Sequence, residues 1–211
     1  MTDVEIIDLT PDNIADYGVC GYKDVKKHLE LQRKIDWFEE YYPKGLRIKA
    51  LVSKKGEYQG MLEYIPGKYA HRPVDAEGYM FIHCIFVGFK KEFKGKGYGS
   101  TLIDECIKDA QKAKMHGVAV VTRKGSFMAD KDIFLKKEFV SVDIAEPDFQ
   151  LLVLKFNQEA TNPKFKNMNK QLKQYNEEAS LSFVQLNVPT QRKTSILSLS
   201  LRKKNLILKP M

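Results

Sequence analysis

The chain has 211 residues, 43% of them apolar, enough to bury one sizeable core and too apolar for a disordered regulator. Nowhere does an apolar run approach the roughly 18 to 20 residues that cross a bilayer, and the start, Met1-Thr2-Asp3-Val4-Glu5, is acidic where a secretory signal would be basic. The net charge of +8 lies wholly in residues 163–211, which hold ten Lys or Arg against two acids, while residues 1–162 carry 25 of each. Val4–Leu9 reads as a strand, and Thr10-Pro11-Asp12 as a helix start with Thr10 as cap. Beyond Gly21, Asp24 caps a helix running to Tyr42, with Leu31, Ile35, Phe38 and Tyr42 at helical spacing. Pro43-Lys44-Gly45 stops it. Leu46–Val52 and Tyr58–Ile65 follow as an antiparallel hairpin across Ser53-Lys54-Lys55-Gly56.

A polar loop, Pro66 to Gly78, leads into the almost continuously apolar Tyr79–Phe89, a strand predicted to be buried on both faces. A Lys- and Gly-rich turn then precedes an amphipathic helix over Ser100–Lys114, whose stripe is Leu102, Ile103, Cys106, Ile107 and Ala110. Gly117–Thr122 is a buried strand, Phe127–Lys137 a helix, and Phe139–Val142 and Gln150–Phe156 the last strands. The pattern predicts an α/β fold with a mixed sheet. Residues 179–211 contain no acid and form no recognisable element. A basic tail can hold phosphates by counterion release, but a solvated tail is the commoner case, so nucleic acid is the weaker reading. Cys20, Cys84 and Cys106 form no Cys-x-x-Cys pair, so a reducing cytoplasm is expected.

The informative stretch is Lys94-Gly95-Lys96-Gly97-Tyr98-Gly99-Ser100, between a buried strand and an amphipathic helix. Glycines let the backbone turn tightly and aim successive amides at one anion, and the helix dipole adds to them, so a phosphate or pyrophosphate is the expected ligand. Lys90, Lys91, Lys94 and Lys96 add a positive field. The bland alternative is a flexible surface turn. A P-loop would need Gly-Lys-Ser or Gly-Lys-Thr, and a dinucleotide fingerprint a Gly-x-Gly-x-x-Gly; neither is present.

Val87-Gly88-Phe89, four residues, then Lys94 to Gly99 resembles motif A of the GNAT superfamily of N-acetyltransferases, with Lys94 where Arg or Gln is usual. The likeness extends from about Glu5 to Phe156. Gly18 to Tyr22 and Tyr79 to Cys84 are similar to bacterial and archaeal members that carry a small YoaP-type domain behind the transferase. The resemblance implies the GNAT (acyl-CoA N-acyltransferase) fold, a mixed, mostly antiparallel sheet flanked by helices, in a domain of residues 1–160. It implies acetyl-CoA as cosubstrate, its pyrophosphate on the amides of Gly95, Lys96, Gly97, Tyr98, Gly99 and Ser100 and its pantetheine arm along Val87, Gly88 and Phe89. A small-molecule or peptidyl primary amine would be the acceptor, attacking directly in a ternary complex, with an oxyanion donor in the backbone near Val87. A homodimer is compatible with it, no membrane partner is expected, and no metal is implied: His28, His71 and His116 lack ligand spacing.

An alkylammonium must lose a proton before it attacks, so a base is needed. His83 is the first candidate, with a near-neutral intrinsic pKa; strand alternation would put it on one face with Ile85 and Val87. In family members that act on histones a glutamate stands at the matching position, and in those acting on arylalkylamines a histidine. Glu63, on the neighbouring strand, is the second candidate, against the commoner case of an exposed strand-end glutamate. Many family members protonate the departing thiolate with a tyrosine in the helix before the next strand, whereas Ile133 to Lys137 offers no hydroxyl and Phe134 occupies or neighbours that position; Glu138 replaces the common glycine before Phe139. A catalytically weak acyl-CoA-binding module is therefore the alternative function. Trp37, Tyr64, Tyr69 and Arg72 are weak candidates for the acceptor pocket; Cys84 and Cys106 fit buried small hydrophobes.

Residues 161–211 are expected to be the basic remnant of a truncated or frameshifted C-terminal domain. Asn187 to Thr194 can be written so that a shifted frame spells Cys-Pro-Tyr-Thr-Glu-Lys-Asp, the kind of Cys-Pro motif the YoaP-type domain carries. Sequencing the gene beyond Glu178 tests this: a shifted frame that meets stops at once rules it out.

Overall fold

The computed structural model describes residues 4–17, 29–88, 93, 95–125 and 128–166. Expectations on Gly18 to Tyr22, Asp24, His28, Phe89 to Lys91, Lys94, Phe127 and residues 167–211 lie outside the described residues.

A seven-stranded sheet runs in the order β1-β2-β3-β5-β6-β8-β7: β1 Val4–Asp8, β2 Arg47–Ser53, β3 Tyr58–Pro66, β5 Tyr79–Val87, β6 Gly117–Thr122, β7 Val140–Ala145 and β8 Phe149–Lys155. All neighbours are antiparallel except β5 and β6. A small second sheet pairs β4 (Val74–Asp75) with β9 (Lys164–Phe165). α1 (Ile14–Tyr17) and α2 (Leu29–Tyr41) bury Ile14, Leu31, Ile35 and Phe38 with Ile48, Met61 and Ile65 on one face. On the other face α3 (Tyr98–Lys112) and α4 (Asp132–Leu135) bury Leu102, Ile103, Cys106 and Phe134 with Leu62, Ile82, Val120 and Leu152.

At the first helix start the Asn13 side chain accepts from the Thr10 amide at 2.8 Å, the Thr10 carbonyl accepts from the Asn13 and Ile14 amides at 3.2 and 3.0 Å, and α1 is a single turn. α4 is shorter than predicted. The Asp130 carboxylate accepts the Asp132 amide at 3.0 Å, which delays the start, and Glu138 closes the segment at φ +64°. That left-handed residue stands where the resemblance leads one to expect glycine, and a side chain there is strained. Glu138→Gly should therefore stabilise the fold by about 0.5 to 1 kcal/mol, read as a higher thermal midpoint; a lower midpoint refutes the strain.

Only the first half of β5 is buried on both faces; from His83 to Val87 its residues are half-buried. The cause is a lost neighbour. β5 pairs with β6 from Tyr79↔Gly117 to Ile82↔Val120 and no further, while its other edge stays on β3 as far as Val87. A gap thus opens in the middle of the sheet.

Candidate active site

Two groups of residues flank that gap, on opposite faces of the sheet. On the α3 side, Gly95 (φ +73°) and Gly97 (φ +81°) turn the chain in left-handed conformations, and a Cβ built on either meets nothing within 4 Å. The turn therefore stands open on its outer side. Gly97 is the N-cap residue of α3, which has no side-chain cap. The first amides of a helix find no acceptor within it, so Tyr98, Gly99 and Ser100 present N–H groups at the positive end of a 15-residue helix. Gly99 lets this end approach the sheet: its Cβ would stand 2.8 Å from Ile133 Cδ1 and 3.6 Å from Val87 Cγ2. Gly88 donates to the Gln59 carbonyl on β3 at 2.5 Å. Peptide directions alternate along a strand, so the N–H and C=O of Val87 and Ile85 face the opposite edge, into the gap.

On the α2 side lies a buried polar cluster. His83 reaches it because of a β-bulge: Glu63 pairs with Cys84 and Tyr64 with Ile82, leaving His83 as an extra residue on β5. The expected alternation is broken there. Ile85 and Val87 pack on the α3 side, whereas His83 faces Trp37, His71 and Phe81, with ring centroids 6.1, 5.6 and 5.5 Å away. Glu63 is no exposed strand-end residue: it is 2% exposed and belongs to this cluster.

The contacts close into a ring. Lys34 Nζ lies 2.7 Å from Glu63 Oε2, an ion pair without good hydrogen-bond alignment, and Glu63 Oε1 lies 3.4 Å from His83 Nδ1. His83 Nε2 accepts the His71 backbone N–H at 3.2 Å. Trp37 Nε1 donates to His71 Nε2 at 3.0 Å, and Lys34 Nζ sits 3.8 Å over the Trp37 ring. Because Nε2 of His83 accepts, its proton is on Nδ1, toward Glu63. Burial works to raise the Glu63 carboxyl, but Lys34 and His83 outweigh it and hold it at about 2. Burial, His83 and Lys34 bring His71 down to about 4. His83 is likewise lowered, by burial first, with Glu63 opposing. At neutral pH Glu63 is therefore a carboxylate and both imidazoles are neutral.

Of the pocket candidates, Trp37 belongs to this ring, and Arg72 lies near it, its guanidinium 3.8 Å from Met128 Sδ. Tyr64 does not: it points to the α3 side, fully buried, donating to Asp109 Oδ2 at 2.5 Å. Phe134 is fully buried against Phe139, so it brings no hydroxyl to the gap. Lys34 and the structural part of His71 had gone unnoticed in the sequence. Lys34 could have been found, because it falls on the apolar stripe of α2 three residues after Leu31 and one before Ile35. A separate hollow of about 720 Å³ lies between Thr122, Lys131 and the β7–β8 turn. Thr122 is in line with Val118 and Val120, placing the hollow on the face away from His83. Among the described residues no group of His, Cys, Asp and Glu could hold a metal, and no helix is long and apolar enough to cross a membrane.

The sequence pattern of the acetyltransferase (GNAT) family matches residues 12–129. YoaP of Bacillus subtilis (strain 168), an uncharacterized N-acetyltransferase, is 30% identical over 167 residues, 78% of this chain; the chain spans 64% of the length of that relative. Among solved structures, YncA of Salmonella typhimurium, classed as an acetyltransferase and solved with its cofactor acetyl-CoA, aligns with TM-score 0.54 at 13% identity, over 76% of this chain and 98% of that one. A protein of Desulfovibrio desulfuricans classed in the GNAT family aligns with TM-score 0.53 at 15% identity, over 72% and 98%.

Proposed function

The chain belongs to the GNAT family of acetyltransferases, and from that premise we propose that it transfers an acetyl group from acetyl-CoA to a primary amine, by direct attack in a ternary complex. The observation that carries this is the gap between β5 and β6 with an uncapped glycine turn at its mouth. The residues fit the coenzyme. Open, left-handed Gly95 and Gly97 and the free amides of Tyr98, Gly99 and Ser100 suit a diphosphate, with Lys96 beside them. The edge of Ile85 and Val87 offers strand-like partners to an amide-bearing arm. Bound there, acetyl-CoA supplies the activated acetyl group.

The chain's own residues supply positioning and proton handling. His83 is the base: once the His71 amide yields Nε2, that nitrogen takes the proton an acceptor ammonium must lose. Glu63 orients the imidazole through Nδ1 and stabilises the imidazolium formed. The Val87 N–H, turned into the gap, is placed to donate to a developing oxyanion. Because His83 sits below its ordinary 6.5, the acid limb of kcat/KM should lie below pH 6.5. Titration with acetyl-CoA, then turnover over small and peptidyl amines, tests this reading. Saturable binding with transfer to at least one amine supports it; no binding refutes it.

Phe134, buried without a hydroxyl where the family commonly has its acid, favours a second reading, a catalytically weak acyl-CoA-binding module. That reading expects tight binding and no product above background hydrolysis with any amine.

A further inference from the structure

Lys34 is an unusual residue to find 3% exposed, for a buried ammonium is costly unless paired. Its cost is met by Glu63 at 2.7 Å and by the Trp37 face at 3.8 Å. Leu31, Ile35 and Phe38 separately pack α2 into the core against the sheet. The ammonium also lies one carboxylate away from the imidazole of His83.

On the acetyltransferase reading above, we propose that Lys34 is a positioning residue: through Glu63 it holds His83 neutral, with the proton on Nδ1 and Nε2 as the proton acceptor. The charged and titratable groups around His83 are Lys34 from α2, Glu63 from β3, His71 and Arg72 from the loop before β4, and Cys84 beside it on β5. Ionised Glu63 alone would draw His83 toward imidazolium, a form with no lone pair to accept a proton. Lys34 offsets that pull while keeping the carboxylate ionised, so that the Nδ1 proton has its acceptor. Removing the two partners must therefore act in opposite directions. Without Lys34 the carboxylate bears undiluted on the imidazole and His83 protonates at higher pH. Without the carboxylate, Lys34 and Arg72 remain and His83 protonates at lower pH.

The test is a long-range ¹H–¹⁵N titration of the full chain labelled in histidine, with His83 assigned by its loss in His83→Gln, and the pH dependence of acetyl transfer measured alongside. In the wild type the Nδ1–H tautomer is expected. Lys34→Met should move the His83 midpoint up by about one pH unit and Glu63→Gln down by about as much, while Lys34→Arg leaves it in place. The acid limb of turnover should follow the same shifts, which a merely structural role would not produce. Should Lys34→Met fail to fold, the double variant Lys34→Met/Glu63→Gln, with no unpaired charge, should titrate above Glu63→Gln alone. An Nε2–H tautomer, or shifts that coincide in sign or are absent, overturns the proposal. The resonance titration decides on Lys34 even where no amine is acetylated, an outcome that would count against the acetyltransferase reading alone.

Discussion

Ser100→Glu is expected to weaken acetyl-CoA binding roughly 100-fold, about 2.7 kcal/mol, while the thermal midpoint stays level or rises. Ser100 is the third residue of α3, and Gly97 the residue that caps it. A glutamate at this position reaches back toward the cap amide and complements the helix dipole, which stabilises a helix by a few tenths of a kcal/mol to about 1. The same carboxylate would satisfy the amides proposed for the diphosphate and set a negative charge beside it. Stability and affinity should thus move in opposite directions. Calorimetric titration beside a thermal melt checks both, and unchanged affinity would remove the amide cradle from coenzyme binding.

The second large effect is on turnover. His83→Gln should lower kcat by roughly 10² to 10⁴, the usual worth of a positioned base, and leave the acetyl-CoA dissociation constant within about two-fold. Glutamine can still donate toward Glu63 and accept the His71 N–H, so the ring of contacts is kept, but it has no basic nitrogen at neutral pH. The bulge places residue 83 on the α2 side, away from the amides of α3, which is why affinity is spared. Steady-state rates with the best acceptor, paired with a binding titration, separate the two quantities. Equal turnover would take His83 out of the mechanism.

Much of this fold was legible because its elements obey simple periods. β2 and β3 announced themselves by apolar runs flanking Lys54-Lys55-Gly56, and α3 by a stripe ending at Ala110. The glycine turn was legible as backbone geometry, since few other residues tolerate φ near +80°. What escaped were features set by tertiary context. Alternation assigned His83 to the side of Ile85 and Val87, and one inserted residue reversed it, an irregularity no period reveals. Glu63 carried the ordinary expectation of exposure because its partner, Lys34, lies 29 positions earlier on a helix where lysines are usually solvated. α4 was drawn too long because Phe127 to Lys137 has helical composition, whereas the Asp130 side chain and the left-handed Glu138 confine the helix to one turn.

The sheet behaves as a partition with a single slit. On the proposed function, coenzyme recognition would fall to main-chain atoms on one side of it and proton handling to side chains on the other, with the one-residue irregularity in β5 separating the face of His83 from that of Ile85 and Val87. On that reading each compartment could be rewritten without disturbing its neighbour: the residues of α2 and the loop before β4 would be open to exchange for new acceptors while the glycine turn kept the same donor. Excising His83 at the irregularity would restore the pleat, leave Cys84 alone on the α2 side between Ile82 and Ile85, and strip that compartment of the His83 imidazole.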